Sequence, residues 1–282
     1  MTHAMCRSPS AQGMSWYAGA VKVRLDRLLV ERGLVPSRER AQALILAGRV
    51  LVDEHKVEKA GAAIAADADI RLLGDDLPYV SRGGLKLAAA LVHWHLDVRG
   101  HVCMDVGAST GGFTDCLLQN GARKVIAVDT GYGQLDLKLR SDRRVRLLEK
   151  TNARYLTPSQ LWPHNMPRDP IDLIAMDVSF ISATLVLPAV LECVNASGVE
   201  RSHLVALVKP QFEVGRGQVG KGGIVRDPDA QRLAVQKVSA AVEELGGSEV
   251  ESIESPILGG EGNREFLLHA VFTSPAKTAA VH

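Results

Sequence analysis

The sequence has little cysteine, no apolar run long enough to cross a bilayer and almost no net charge. Its four cysteines, Cys6, Cys103, Cys116 and Cys193, form no C-x-x-C pair. That spacing argues against zinc and dithiol motifs, so no metal is expected. Cys103 and Cys116 sit in apolar context and read as reduced, partly buried thiols, which points to the cytoplasm. Charge-free stretches such as Val178 to Leu191 contain Ser179, Ser182, Thr184 and Pro188. They fall short of the roughly 20 apolar residues that a spanning helix needs, so no membrane partner is expected. Residues 1–21 lack an apolar core of the signal-peptide type and read as a flexible extension, or as residues upstream of the natural start. The net charge of +1 does not announce a nucleic-acid binder. The distribution says more: between Lys22 and Arg49 seven basic residues face only three acidic ones. Such a surplus suits phosphate, although a solvated helix face has the same look.

What is present is a glycine turn with an acid on either side. Hydrophobic content of 46% and charged content of 23% over 282 residues describe a globular chain with room for two domains. Val102 to Val106 is an apolar run containing Asp105, and Gly107, Ser109, Gly111, Gly112 and Phe113 follow it into a helix. The pattern is neither the dinucleotide G-x-G-x-x-G nor a phosphate loop, because no Lys-Ser or Lys-Thr follows the last glycine. A second apolar run, Lys124 to Val128, ends in Asp129, where a βαβ unit grips ribose hydroxyls. A glycine turn plus a ribose-binding acid, without a phosphate cradle, suits an adenosine ligand that carries no phosphate. S-adenosylmethionine is the candidate cofactor, with Asn152 and Ala153 as candidate adenine contacts.

The chain divides into a small first unit and a larger α/β unit. Helical spacing over Val23 to Glu31 places Leu25, Leu28 and Leu29 on one face. Gly33 stops that helix, Ser37 is a plausible N-cap, and Arg38 to Ala47 forms a second helix ended by Gly48. Strands are expected at Arg49 to Val52, Val57 to Glu58 and Asp69 to Leu73, with an alanine-rich turn over Ala60 to Ala68. From residue 101 strands alternate with helices: 101–106, 123–128, 144–149, 171–176 and 203–208. That is the rhythm of a parallel sheet with helices on both faces. Ser248 to Ser255 and Glu265 to Phe272 then suggest an antiparallel hairpin around Gly259-Gly260-Glu261-Gly262.

Two resemblances follow from these strings. Arg24-Leu25-Asp26-Arg27-Leu28-Leu29, Ser37-Arg38-Glu39-Arg40-Ala41 and Ala47-Gly48-Arg49-Val50-Leu51-Val52 together resemble the S4 RNA-binding domain. The later layout resembles class I S-adenosylmethionine-dependent methyltransferases, a Rossmann-like sheet ending in an antiparallel hairpin. Lys86, Asp177, Lys209 and Glu265 match, in chain order, the Lys-Asp-Lys-Glu tetrad of FtsJ-like RNA 2′-O-methyltransferases. With Ser81-Arg82-Gly83-Gly84-Leu85-Lys86-Leu87, the chain resembles the TlyA family, which carries a haemolysin label and methylates cytidine ribose in 16S and/or 23S ribosomal RNA. The expected domains are an extension at 1–21, an S4-like domain at 22–74, a linker at 75–82, the methyltransferase domain at 83–273 and a tail at 274–282.

The resemblance implies that Lys86, Asp177, Lys209 and Glu265 are catalytic and that Asp177 also lines the cofactor site. It implies RNA contacts from Arg24, Arg27, Arg38, Arg40, Arg49 and Arg82, and ribosomal RNA or ribosomal subunits as partner. Lys209 is then either a true base or a charged group that positions the ribose hydroxyl. The segment Gln211 to Gly223 is either a mobile substrate loop or a passive glycine-rich one. Two alternatives remain open: a cytolytic protein, and an RNA-binding protein with an inactive methyltransferase fold. Oligomeric state is not legible.

Overall fold

The first helices form because leucines recur at helical spacing and a serine caps the second. In the computed structural model, which describes residues 22–35, 37–73, 78–163, 166–259 and 262–274, β1 (Lys22–Arg24) runs into α1 (Leu25–Glu31), followed by α2 (Arg38–Leu46). Leu25, Leu28 and Leu29 pack against Ala41, Leu44 and Ile45 in one apolar cluster. Ser37 Oγ accepts from the Arg40 N–H at 3.2 Å, a cap that contributes about 1 kcal/mol. β2 (Val50–Val52), β3 (His55–Lys56) and β5 (Ile70–Leu72) make an antiparallel sheet with β2 in the middle.

Two expectations shift here. The hairpin turn is two residues, Asp53 and Glu54, both with positive φ, so its second arm is His55–Lys56 instead of Val57 to Glu58. Residues 60–68 are more than a turn. They contain β4 (Ala63–Ala65), which pairs antiparallel with β1, where a helix start was expected. Backbone N–H groups of Leu25 and Asp26 donate to the Ala62 and Ala60 carbonyls. Alanine carries little strand signal of its own, which is why this pairing was hidden.

Residues 77–282 form the second of two compact units, residues 1–76 being the first. In chain order its elements are α3 (Gly83–His93), β6 (Val102–Val106), α4 (Gly112–Gln119), β7 (Lys124–Val128), α5 (Leu137–Arg140), β8 (Val145–Leu148) and α6 (Pro158–Leu161). Then come β9 (Leu173–Met176), α7 (Leu187–Ser197), β10 (Arg201–Val208), α8 (Pro210–Glu213), α9 (Pro228–Glu244), β11 (Ser248–Glu254) and β12 (Phe266–Thr273). The seven strands stand in the order β11-β12-β10-β9-β6-β7-β8. The five from β10 to β8 are parallel, and β12 pairs antiparallel with both β10 and β11. Near-continuous apolar strands are what a sheet covered on both faces requires. One face is covered by α7 and α9 through Leu187, Val190, Val238 and Val242. The other is covered by α3, α4 and α5 through Leu87, Leu91, Leu117 and Leu139. Cys103, Cys116 and Cys193 are buried and free, and burial pushes the Cys116 and Cys193 thiols up to about 12.

The strand order reverses between β6 and β9, so their carboxyl ends border the crevice where such sheets bind ligands. Residues 1–21, 75–77 of the expected linker, Gly260-Glu261 of the hairpin turn and 275–282 of the expected tail lie outside the described residues.

Candidate active site

The crevice is shaped first by glycine. Gly107 follows β6 at φ +89°, and a Cβ there would stand 2.4 Å from the Asp177 carbonyl oxygen. No other residue lets the turn press so closely on the exit of β9. Gly112 opens α4, and a Cβ on it would lie 2.9 Å from the Gly84 backbone nitrogen. α4 and α3 therefore touch through their glycines, which holds Lys86 of α3 beside the turn. Gly111 caps α4 with φ +98°, and Phe113 is buried behind it.

Three acids surround this turn. Asp105 is fully buried. Its Oδ2 accepts from the Thr114 N–H at 2.9 Å and the Thr114 hydroxyl at 2.6 Å, while Oδ1 has no partner among the described residues. Burial pushes its carboxyl up to about 7, aided by the negative charge of Asp177 and opposed by the Thr114 hydrogen bonds. Asp129 ties the turn to the tip of β7. It accepts from the Ser109 N–H at 2.7 Å and the Gly131 N–H at 2.6 Å. One hydrogen bond on each oxygen leaves lone pairs for a ligand hydroxyl. Asn152 Oδ1 accepts from the Arg154 N–H at 3.0 Å and caps the short turn Ala153–Tyr155.

A cavity of about 300 Å³ is lined by Gly107, Ser109, Asp129, Asn152, Ala153 and Asp177. A second, of about 230 Å³, shares Gly107, Ser109 and Asp177 with it and adds Arg82, Lys86 and Phe113. Eight of the ten cofactor candidates and two of the four tetrad residues thus border one continuous rim, while Asp105 and Gly111 line neither cavity. A further cavity of about 310 Å³ is lined by Trp94, His203, Glu251 and His269. None of the expected residues lines it.

The tetrad is two ion pairs. Lys86 donates to Glu265 Oε2, and both side chains are buried. Lys209 Nζ lies 2.6 Å from Asp177 Oδ1 and donates to Ser179 Oγ at 2.7 Å. The contact with Asp177 is a charge pair, whereas the well-angled hydrogen bond goes to Ser179. Lys209 is almost wholly buried and Asp177 is partly open to solvent.

The arginines expected to meet RNA divide. Arg82, exposed, lines the second cavity. The other five belong to the first unit. Arg24 and Arg38 both hold Asp26, which is fully buried and also accepts from Gln42 at 3.1 Å. The Arg24 hydrogen bond, with those of Gln42 and Arg38, keeps the Asp26 carboxyl far below its usual range. Arg27 pairs with Glu31 one helical turn on. Arg40 and Arg49 are half-buried.

Four residues near Asp177 and Lys209 were not singled out from sequence: Ser179 and Phe180, which line the first cavity, and Phe212 and Glu213, which do not. Phe180 is 92% exposed, has φ +64°, and its ring centroid is 5.3 Å from that of Phe212. Their signal was position, because both segments directly follow a strand that ends in a tetrad residue. Gly220 and Gly223 of the glycine-rich segment are fixed by hydrogen bonds, Gly223 through its carbonyl to Asn263, which also accepts from the Val225 N–H just beyond the segment.

Comparison with known proteins agrees with this geometry. Residues 79–272 match the FtsJ-like methyltransferase model and residues 23–70 the S4 domain model. The chain is 48% identical to a Bacillus subtilis protein provisionally named rRNA methyltransferase YqxC, over 88% of this chain and 85% of that one. It is 44% identical to the 16S/23S rRNA (cytidine-2′-O)-methyltransferase TlyA of Mycobacterium tuberculosis, over 88% of this chain and 90% of the relative. A solved Streptococcus thermophilus structure with a provisional hemolysin label superposes with a TM-score of 0.69 at 42% identity, covering 91% of this chain and 90% of that one. With matches of this extent across both units, the chain belongs to the TlyA family of FtsJ-like methyltransferases that carry an S4 domain.

Proposed function

We propose that this protein transfers a methyl group from S-adenosylmethionine to the ribose 2′-hydroxyl of a cytidine in 16S and/or 23S ribosomal RNA. The observation that carries the reading is the Lys209 ammonium, held by Asp177 and Ser179, both of which line the cofactor cavity. The cavity fits the cofactor. Asp129 offers free lone pairs to ribose hydroxyls, and the orphaned oxygen of Asp105 lies close to two further carboxylates, a setting that favours a cationic ligand. S-adenosylmethionine supplies an already activated methyl group and a positive charge.

What remains for the protein is alignment and charge. Lys209 has three donors. Ser179 engages one and Asp177 faces the ammonium as a charge partner, which leaves a donor for the oxygen of an incoming hydroxyl. From there it positions the hydroxyl and stabilises the negative charge that develops as the proton leaves. Lys86, fixed by Glu265, adds a second cation on the same rim. Phe180 offers an exposed ring at the lip, and its left-handed backbone is strain of the kind that concentrates at functional sites. It is suited to stack on the target base. The S4 unit supplies affinity through phosphate contacts, so binding weakens steeply with salt. A 2′-hydroxyl target selects RNA over DNA.

The hemolysin label of the Streptococcus relative suggests lysis instead. Among the described residues no helix is long and apolar enough to cross a membrane, and the site described above has no part in that reading. We infer a cytoplasmic protein because its proposed substrate is ribosomal RNA. The test is transfer of labelled methyl groups to purified 30S and 50S subunits lacking the modification, with the nucleoside identified. 2′-O-methylcytidine in either subunit supports the reading. Binding of cofactor without transfer to either subunit overturns the substrate assignment.

A further inference from the structure

Asp177 and Lys209 leave neighbouring parallel strands, β9 and β10, on separate loops. The chemistry needs these loops in fixed relation, and one buried acid ties them together. Glu213 ends α8, four residues after Lys209, and its side chain is 2% exposed. One oxygen accepts from the Ala183 N–H at 2.7 Å. The other accepts from the Ser182 hydroxyl and lies 3.2 Å from Lys237 Nζ on α9. Lys237 Nζ also donates to the Glu213 carbonyl at 2.9 Å. Ser182 and Ala183 sit only five and six residues beyond Asp177. They begin the short turn Ala183–Leu185 that carries the Asp177 loop into α7.

We propose that Glu213 is a positioning residue that sets the Lys209–Asp177 geometry by clamping these two loops to each other and to α9. The proposal rests on the methyl-transfer reading above. A buried carboxylate with three donors in two other segments is more than a local cap. Its own element is only four residues long and cannot fix Lys209 alone. The clamp also spans the Phe180–Phe212 contact, since Phe180 belongs to one loop and Phe212 to the other. A buried carboxylate is costly unless fully paired, and this one is paired only when the loops are in register.

The experiment compares wild type, Glu213→Ala and Glu213→Gln in three readings: melting temperature, S-adenosylmethionine affinity and single-turnover transfer to ribosomal subunits. A misplacement of about 1 Å costs about 100-fold in rate. Glu213→Ala is expected to slow transfer by about that factor while cofactor affinity stays within about threefold. Glutamine keeps an acceptor for Ala183 and a polar partner for Ser182, so Glu213→Gln is expected to recover most of the loss. Unchanged transfer in Glu213→Ala overturns the proposal. So does a loss of rate that tracks falling stability and cofactor binding, without glutamine rescue. Hydrogen exchange at the Ala183 amide decides the clamp even if wild type transfers nothing to subunits, an outcome that would sink the methyl-transfer reading itself. Faster exchange in Glu213→Ala, largely restored in Glu213→Gln, supports the clamp, and unchanged exchange in Glu213→Ala removes it.

Discussion

Replacing Lys209 separates charge from base chemistry. In the structure its ammonium sits 2.6 Å from Asp177 Oδ1 with little exposure to solvent. At an effective dielectric near 20, a pair at that distance is worth about 6 kcal/mol of Coulomb energy before desolvation is subtracted. Lys209→Ala discards that charge and the donor aimed at the hydroxyl. Catalytic proton-handling or charge-stabilising groups contribute about 10²- to 10⁴-fold, so single-turnover transfer is expected to fall by about 10³. Cofactor affinity is expected to hold or to tighten slightly, because Asp177 is then uncompensated next to a cationic ligand. Lys209→Arg keeps a permanent charge and cannot act as a base near neutral pH. If Lys209 works through its charge, the arginine variant stays within about tenfold of wild type and the wild-type rate is nearly flat between about pH 6 and 9. The assay is rapid-quench methyl transfer to unmodified subunits, with cofactor affinity from calorimetry. A wild-type rate that climbs about tenfold per pH unit, together with an arginine variant as slow as alanine, would refute charge positioning and make the amine the base.

Further outcomes follow from the same geometry. Burial raises the Asp105 carboxyl to about 7 from 3.8, so a cationic cofactor binds better once that proton leaves. Affinity is expected to tighten as pH rises through about 7 and then level off, and Asp105→Asn to flatten the profile in calorimetry. The same raised value means that Asp105 destabilises the fold increasingly from about pH 4 up to about 7. Asp105→Asn should therefore raise the melting temperature more at alkaline than at acid pH, provided cofactor is absent. Phe180→Ala should raise the KM for RNA by about tenfold, since one stacked base is worth about 1–3 kcal/mol. Its melting temperature should not move, because the ring is 92% exposed. In the first unit, the depressed Asp26 carboxyl stabilises the fold above about pH 4 and loses that effect as pH falls further. Asp26→Ala should cost about 1–3 kcal/mol at neutral pH, read by thermal unfolding, and a loss under about 0.5 kcal/mol would show that the two arginines find water as good a partner.

The fold was legible where periodicity was strong. Apolar runs marked all five parallel strands to within two residues or so, and the leucines of α1 marked its buried face. The β1–β4 pair was not legible, because alanine and lysine say little about strands and the pairing is set by tertiary packing. At the site, glycines and strand-end acids were visible because each breaks a local rule: a turn too tight for a side chain, or a charge at the end of an apolar run. The pairing within the tetrad came from the resemblance, with Asp177 expected to hold Lys209 and Glu265 to orient Lys86, although the latter two are 179 residues apart. Glu213 was invisible as a clamp because its partners come from two other segments, and nothing in Lys209-Pro210-Gln211-Phe212-Glu213 names them.

The last strand has a consequence for how the enzyme comes into being. β12 does not simply add to the sheet edge. It takes the place between β10 and β11, beside the strand that ends in Lys209. The cofactor rim is drawn from β6, β7 and β9, and the Lys209–Asp177 pair is complete once β10 has docked. Lys86 waits for Glu265 at the start of β12. Long-range closures of this kind come late in folding. The donor pocket is thus built wholly from strands that precede β12 in the chain, while the second lysine is fixed by the residue that opens the last strand.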